Sequence, residues 1–292
     1  MSDDVLQNFN HLNVYRDGKI LYVEIDNPPI NLITVPLLFD FINLTKWVED
    51  DEDSTVLVLK SVVDGFFIAH FDVGALLAMD SNESRPADSL TTFDELCLRF
   101  QTMSKITICV VEGRIGGGGS EIAMSCDLRF AASGTAVMNQ MEVPIGIIPG
   151  GGGTQRLPAL IGYPRALELI VGGLDLDAET GEKWGYFNRS LPKEELDLFI
   201  TRFLDRVASF SPESVRSAKE ALQLSIPNLV GGLVKENILF NERNNSESGR
   251  ELMKRFLDLG GQSVLQESRI EEFALEVAKS MNKPNNGISE EP

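Results

Sequence analysis

The chain has 292 residues, 43% of them apolar and 24% charged, which excludes a disordered or low-complexity protein. Its net charge of −18 argues against nucleic acid as a partner, because phosphate binding needs clustered Lys and Arg, and against an anionic membrane surface. No apolar run reaches the ~18–20 residues of a membrane span. The acidic residues 1–4 do not resemble a signal peptide, and the C-terminus matches no peroxisomal signal. We therefore expect a cytoplasmic protein.

Cysteine and histidine are scarce. The three cysteines, Cys97, Cys109 and Cys126, are widely spaced, which predicts neither a disulfide framework nor a zinc site. His11 and His70 are the two histidines of the chain, so a histidine-rich metal centre is excluded. We predict buried, reduced thiols and no metal site.

The first two thirds of the chain alternate predicted strands and helices, which is typical of an α/β protein. Residues 1–12 are polar and predicted to form a flexible tip. The predicted elements that follow are strand 19–25, helix 34–48, strand 55–60, polar loop 80–86, helix 90–104, strand 106–111, helix 120–126, strand 128–131 and a helix that ends at residue 160. The apolar runs 55–60 and 106–111 suit strands that are buried on both faces.

From about residue 194 onwards the sequence is helical and rich in charge. The predicted helices span residues 194–210, 212–224, 230–257 and 264–281, and no strand pattern interrupts them. Their apolar faces need a neighbour to cover them. We predict a C-terminal helical region over residues 194–282 and a disordered tail over residues 283–292.

Two glycine runs are the sharpest local features. Residues 116–119 come directly before the predicted helix 120–126, and residues 150–153 open the helix that ends at residue 160. Glycine allows close approach of the backbone, and a helix N-terminus offers unpaired N–H donors. This combination can bind an oxyanion, although a tight turn with close packing remains the alternative. Neither run matches a phosphate-binding P-loop.

Two glutamates accompany the glycines. Glu121 follows the first run, where it could simply complement the helix dipole. Glu142 lies in the otherwise uncharged stretch 131–154, which suggests a buried acid with a raised pKa, with a surface loop as the alternative. Paired carboxylates in a pocket with little water can divide acid and base roles over one water molecule.

The chain resembles the crotonase superfamily of enoyl-CoA hydratases and isomerases. Residues 117–127 resemble its Gly-Gly-Gly-x-Glu-Leu-Ala-x-x-Cys-Asp block, and residues 140–157 resemble its Gln-Pro-Glu block; residues 67–72 and 178–192 resemble weaker blocks. The resemblance implies a spiral of ββα turns over residues 13–193 that binds acyl-CoA. It also implies a C-terminal α-helical region that forms homotrimers or hexamers.

The resemblance also implies the site residues. The backbone N–H groups of Phe71 and Gly118 would hold the thioester oxygen as it becomes an enolate. The side chains of Glu121 and Glu142 would hold the water that adds to a 2-enoyl-CoA. Further substrate contacts would involve Ala69, His70, Asp72, Gly117 and Gly150. Coenzyme A is part of the substrate, so no separate cofactor is expected.

The sequence departs from the family pattern in three places. His70 and Phe71 replace small residues in the first oxyanion block, and Met141 replaces the proline beside Glu142. His70 could be an extra catalytic group or a packing residue. Residues 259–262 and a further helix stand where the family usually has a basic ending, which leaves the contacts to the CoA phosphates open.

Three hypotheses follow. The presence of both glutamates favours a hydratase-like lyase. An isomerase would move a double bond with Glu142 alone. A protein that binds acyl-CoA or acts as a scaffold would retain the fold without turnover.

Overall fold

The computed structural model of the chain describes residues 9–79 and 89–281 and contains two β-sheets. The strands are β1 (Leu12–Asp17), β2 (Ile20–Ile25), β3 (Val56–Ser61), β4 (Phe66–Ile68), β5 (Ile106–Val111), β6 (Arg114–Gly116), β7 (Leu128–Ala132), β8 (Val137–Asn139), β9 (Asp175–Asp177) and β10 (Arg189–Leu191). The larger sheet has the order β1-β2-β3-β5-β7-β10 and is parallel except for the β1–β2 pair. The smaller sheet has the order β4-β6-β8-β9, and only β9 is antiparallel.

Helices follow the strand pairs along the chain and form the C-terminal region. They are α1 (Val35–Asp50), α2 (Val73–Ala78), α3 (Thr92–Thr102), α4 (Gly117–Ser125), α5 (Gly153–Ile161), α6 (Tyr163–Gly172), α7 (Ala178–Trp184), α8 (Lys193–Ala208), α9 (Pro212–Gln223), α10 (Val230–Asn244), α11 (Glu247–Asp258), α12 (Val264–Glu267) and α13 (Ile270–Ser280). Over residues 9–79 and 89–281, none of them combines the length and the apolarity that crossing a membrane requires.

A repeating unit of two strands and a helix builds the core. Strands β3, β5 and β7 enter the larger sheet, the next strands β4, β6 and β8 enter the smaller sheet, and helices follow each pair. Strands β3 and β5 are buried on both faces, as their apolar runs predict. The predicted α/β spiral of ββα turns with a helical C-terminal region is therefore confirmed.

Several predicted boundaries need correction. Strand β1 begins at Leu12, the last residue of the predicted flexible tip, and both Leu12 and Val14 are buried. The predicted helix 230–257 is two helices, because Ser246 caps α11 through the Gly249 N–H. The predicted helix 264–281 is likewise divided into α12 and α13. The predicted loop 80–86 and tail 283–292 lie outside the described residues.

The C-terminal helices pack on the core of their own chain. Leu196, Ile200 and Leu204 of α8 cover the larger sheet. Met253 of α11 and Phe273 of α13 belong to the apolar cluster around the segment that follows β8. The neighbour that these apolar faces need is therefore supplied within the chain, and assembly into trimers or hexamers stays a prediction.

Close packing between α4 and β4 predicts an effect on stability. A Cβ atom on Gly119 would lie 2.5 Å from the Ile68 carbonyl oxygen. We expect Gly119→Ala to lower the free energy of unfolding by about 1–3 kcal/mol, since the backbone of β4 must move. A Cβ atom on Gly231 in α10 would have no neighbouring atom within 4 Å, so Gly231→Ala is the matched control. Equilibrium urea unfolding measures both, and equal stability of the two variants would contradict the packing argument.

Candidate active site

Three neighbouring strand ends position the predicted site. Strands β4, β6 and β8 run parallel and adjacent in the smaller sheet. The segments 69–72, 117–121 and 140–142 follow directly after their carboxyl ends. Ligands of α/β proteins bind beyond the carboxyl ends of parallel strands, so these segments converge where a site is expected.

A cavity of about 530 Å³ lies at this edge. Seven predicted site residues line it: His70, Phe71, Gly117, Gly118, Glu121, Glu142 and Gly150. Apolar side chains such as Leu76, Ile147 and Phe240 form much of the remaining wall. Phe240 belongs to α10, so the C-terminal region contributes to the site of its own chain.

Two predicted contact residues, Ala69 and Asp72, have structural partners within the chain. Ala69 is buried in a small apolar cluster with Ile30 and Phe66. Asp72 caps α2, because its Oδ1 accepts the Gly74 N–H at 2.9 Å. Neither is among the described residues that line the cavity, so their contact with substrate stays a prediction.

The two predicted oxyanion donors lie side by side. Helix α4 begins at Gly117, within the glycine run, which makes Gly118 a residue of its first turn. A Cβ atom on Gly118 would lie 3.5 Å from the Cβ of Phe71. Within residues 9–79 and 89–281, neither the Phe71 nor the Gly118 backbone N–H donates a hydrogen bond. Both donors are therefore available to an oxyanion at the cavity wall.

Glu121 is buried and bound by the second glycine run. Its Oε1 accepts the N–H groups of Gly151 at 2.7 Å and Gly153 at 2.8 Å. The alternative, in which Glu121 complements the dipole of its own helix, is excluded, because Glu121 is the fifth residue of α4 and binds the start of α5. Burial raises the pKa of Glu121 to about 7, although the two N–H donors oppose that shift.

Glu142 is also buried, which excludes the surface-loop alternative. Its two carboxylate oxygens each lie 3.0 Å from the side-chain nitrogen of Gln140, turned to donate to them. Burial, together with the neighbouring charge of Glu121, raises the pKa of Glu142 well above its usual range. The two predicted acids therefore line one cavity, and the charge of Glu121 favours the protonated form of Glu142.

A third buried glutamate is part of the same network. Glu236 of α10 accepts the N–H groups of Gly152 at 2.6 Å and Thr154 at 2.9 Å. Burial and the charge of Glu121 raise the pKa of Glu236 to about 8. Sequence reasoning missed this residue, because its local surroundings resemble an ordinary charged helix and its partners lie far away in the chain.

His70 is buried at the edge of the cavity. Its Nδ1 lies 2.7 Å from the Phe71 carbonyl oxygen, and its Nε2 lies 3.2 Å from Oε1 of Glu267 in α12. His70 thus lies within ion-pairing distance of Glu267 and next to the predicted oxyanion donors. The cavity also contains the side chain of Met141, which replaces the family's usual proline.

The chain is similar to proteins of known family over most of its length. The model of the enoyl-CoA hydratase/isomerase family matches residues 16–262. The chain therefore belongs to the enoyl-CoA hydratase/isomerase family.

Individual relatives resemble the chain over most of its length. It is 29% identical to the short-chain-enoyl-CoA hydratase of Clostridium acetobutylicum, covering 85% of this chain and 95% of the relative. It is 30% identical to the crotonyl-CoA hydratase of Syntrophomonas wolfei, covering 73% and 81%. The crystal structure of a candidate enoyl-CoA hydratase from Streptomyces avermitilis matches with a TM-score of 0.86 at 30% identity, covering 93% of this chain and 100% of that chain.

The raised pKa of Glu121 predicts a pH-dependent stability. A raised carboxyl pKa contributes stability that is fully present below the unfolded value and is lost as pH rises through about 7. We expect Glu121→Gln to raise the melting temperature at pH 8 more than at pH 5. The amide oxygen can still accept both glycine N–H groups, since both bind Oε1.

Differential scanning fluorimetry across pH 5–9 measures this effect. The control is Glu220→Gln, which removes the same charge from an exposed position of α9. An equal change in both variants at every pH would show that net charge, and not the buried site, determines the effect.

Proposed function

We propose that the protein hydrates a 2-enoyl-CoA thioester to a 3-hydroxyacyl-CoA. The observation that carries this proposal is the pair of buried glutamates, Glu121 and Glu142, that line one cavity beside two free backbone N–H groups. The hydratase names of the relatives support the same reaction and an acyl-CoA substrate. The reaction needs no separate cofactor, because coenzyme A enters with the substrate.

The surroundings of the two acids suggest their roles. Two N–H donors stabilise the ionised form of Glu121, which suits it to accept a proton from water as the oxygen adds to C3. Glu142 lacks such a pair of backbone donors within the described residues, and the charge of Glu121 favours its protonated form. Glu142 would then give its proton to C2, and the two carboxyls exchange protonation states in each turnover.

The backbone donors would stabilise the enolate between these steps. As water adds to C3, electrons move onto the thioester oxygen, which the N–H groups of Phe71 and Gly118 would bind. Loss of one such donor typically costs ~10²–10³ in rate. Because the donors are backbone groups, the bulky Phe71 side chain does not remove them.

Assembly into homotrimers or hexamers belongs to the same proposal. The resemblance of the sequence blocks to the family supports it. The exposed apolar side chains of Tyr163, Leu167 and Val171 follow one face of α6 and would suit a contact between subunits.

Kinetics of the two acids test the reaction. We expect Glu121→Gln and Glu142→Gln each to lower kcat for crotonyl-CoA hydration by ~10²–10⁴, because each removes one proton-transfer group. The measurement is the loss of the conjugated enoyl-thioester absorbance, with longer and aromatic 2-enoyl-CoAs in parallel. The control is Glu220→Gln, which removes the same charge from the surface of α9.

Other outcomes would identify the alternatives. Interconversion of 3-enoyl and 2-enoyl thioesters without hydration, abolished only by Glu142→Gln, would indicate an isomerase. Binding of acyl-CoA with a flat absorbance trace for every substrate would indicate a binding or scaffold protein. Either result would overturn the hydratase proposal.

A further inference from the structure

The C-terminal segment 260–267 contacts the segment that carries a predicted oxyanion donor. Gln262 accepts the Val73 N–H at 2.7 Å through its Oε1, and its Nε2 donates to Asp72 Oδ1 at 3.0 Å. Glu267 lies 3.2 Å from His70. Residues 70–73 are thus held by the side chains of Gln262 and Glu267, which lie far away in the sequence.

The opposite side of residues 70–73 is held by backbone bonds. The Ile33 N–H donates to the His70 carbonyl oxygen at 2.9 Å, and the Asp72 N–H donates to the Ile33 carbonyl oxygen at 3.2 Å. The Phe71 peptide is therefore fixed between Ile33 on one side and the C-terminal segment on the other. Its own N–H is left for the cavity.

The surroundings of His70 determine its charge. Its Nδ1 faces a carbonyl oxygen, which can only accept a hydrogen bond, and its Nε2 faces a carboxylate oxygen. Glu267 Oε1 also accepts the Gln262 N–H at 2.8 Å, so one carboxylate oxygen contacts both the Gln262 backbone and the His70 ring. Both side chains are 3% exposed, so a charge on either member of this pair has little access to water.

His70 lies next to the predicted oxyanion donors. A Cβ atom on Gly117 would lie 3.0 Å from both the His70 Cβ and Glu142 Oε1. Gly117 directly precedes the donor Gly118, and Phe71 directly follows His70. A positive charge here acts over a short distance and through a dry interior, where electrostatic interactions are stronger than in water.

We propose that Glu267 and Gln262 are positioning residues for the oxyanion hole, which fix the Phe71 N–H and hold His70 as an imidazolium beside the developing enolate. This inference rests on the proposed function, since it assigns these residues to the same site. Two departures from the family pattern meet at this backbone, because Gln262 of the segment 259–262 contacts Asp72 and Val73, which follow His70.

Other charged groups near His70 support the imidazolium. Burial alone lowers the pKa of His70, but the charge of Glu267 and that of Asp72 outweigh it and raise the pKa above its usual range. Glu142 lies beyond Gly117, and the ring packed on His70 from α11 is the uncharged Phe256, with 5.9 Å between ring centroids. His70 therefore loses its proton only as pH rises above the ordinary histidine range.

Histidine NMR tests the charge without any turnover. The chain has two histidines, so comparison with His11→Gln assigns the signals of His70. We expect an imidazolium at pH 7 in the parent and a neutral ring in Glu267→Gln, because the carboxylate is gone. A neutral His70 in the parent at pH 7 would overturn the proposal.

The strength of the oxyanion hole can be measured on a bound thioester. The probe is [1-¹³C]butyryl-CoA, a saturated thioester that cannot be hydrated. We expect its carbonyl signal to move downfield on binding to the parent, and this shift to fall by at least half in Glu267→Gln. Gln262→Ala should reduce the shift while it leaves His70 charged. An unchanged shift in both variants would overturn the positioning role.

Turnover of crotonyl-CoA supplies the kinetic readout. We expect kcat to fall ~10-fold in Glu267→Gln with KM within ~3-fold, which is less than the ~10²–10³ for loss of a donor. Glu272→Gln on the exposed face of α13 is the matched control. The double variant His70→Gln/Glu267→Gln leaves no buried charge unpaired, so it should fold even if the single variant does not, and its kcat should still be low.

The two proposals can fail separately. A parent that shifts the butyryl-CoA carbonyl but does not hydrate crotonyl-CoA would overturn the hydratase reaction, while the comparison with Glu267→Gln would still decide the positioning role. The opposite result is a parent that hydrates crotonyl-CoA while both single variants keep the parent's kcat and carbonyl shift. That result would overturn the positioning role alone.

Discussion

The backbone N–H groups at the start of α5 hold two buried carboxylates, and the rest of the site depends on this interaction. Glu121 binds the N–H groups of Gly151 and Gly153, and Glu236 binds those of Gly152 and Thr154. The unpaired N–H groups and positive end of a helix favour the ionised form of both carboxyls, which opposes the rise in pKa that burial causes. Close approach requires glycine, since a Cβ atom on Gly151 would lie 2.5 Å from the other Glu121 oxygen. One helix start therefore joins the spiral core to the C-terminal helix α10.

The C-terminal region is consequently part of the site. Helix α10 supplies Glu236 and a wall of the cavity, and the segment 260–267 holds the backbone around Phe71. A chain with net charge −18 cannot attract an enolate or a CoA phosphate through its overall field. An anionic ligand would need local donors, and the unpaired N–H groups of Phe71 and Gly118 lie at the wall of the cavity.

Local composition was sufficient to predict several features. The uncharged surroundings of Glu142 predicted its burial, and the apolar run 106–111 coincides with strand β5. Strands β4, β6 and β8, whose carboxyl ends lead into the site, were not predicted. Each has three residues, which are too few to show a periodic pattern. The helices of the C-terminal region were predicted, but their breaks depend on capping side chains such as Ser246.

The amino-acid sequence by itself determined the α/β class, the two glycine runs and the two acids beside them, because each is a short-range pattern of residue types. Only the tertiary structure decided which groups those residues meet. Glu236 lies 84 positions from Gly152, and Gln262 lies 190 positions from Asp72. Contacts over such separations depend on how α10 and the 260–267 segment pack across the ends of the parallel strands. A local pattern of residue types cannot predict that packing.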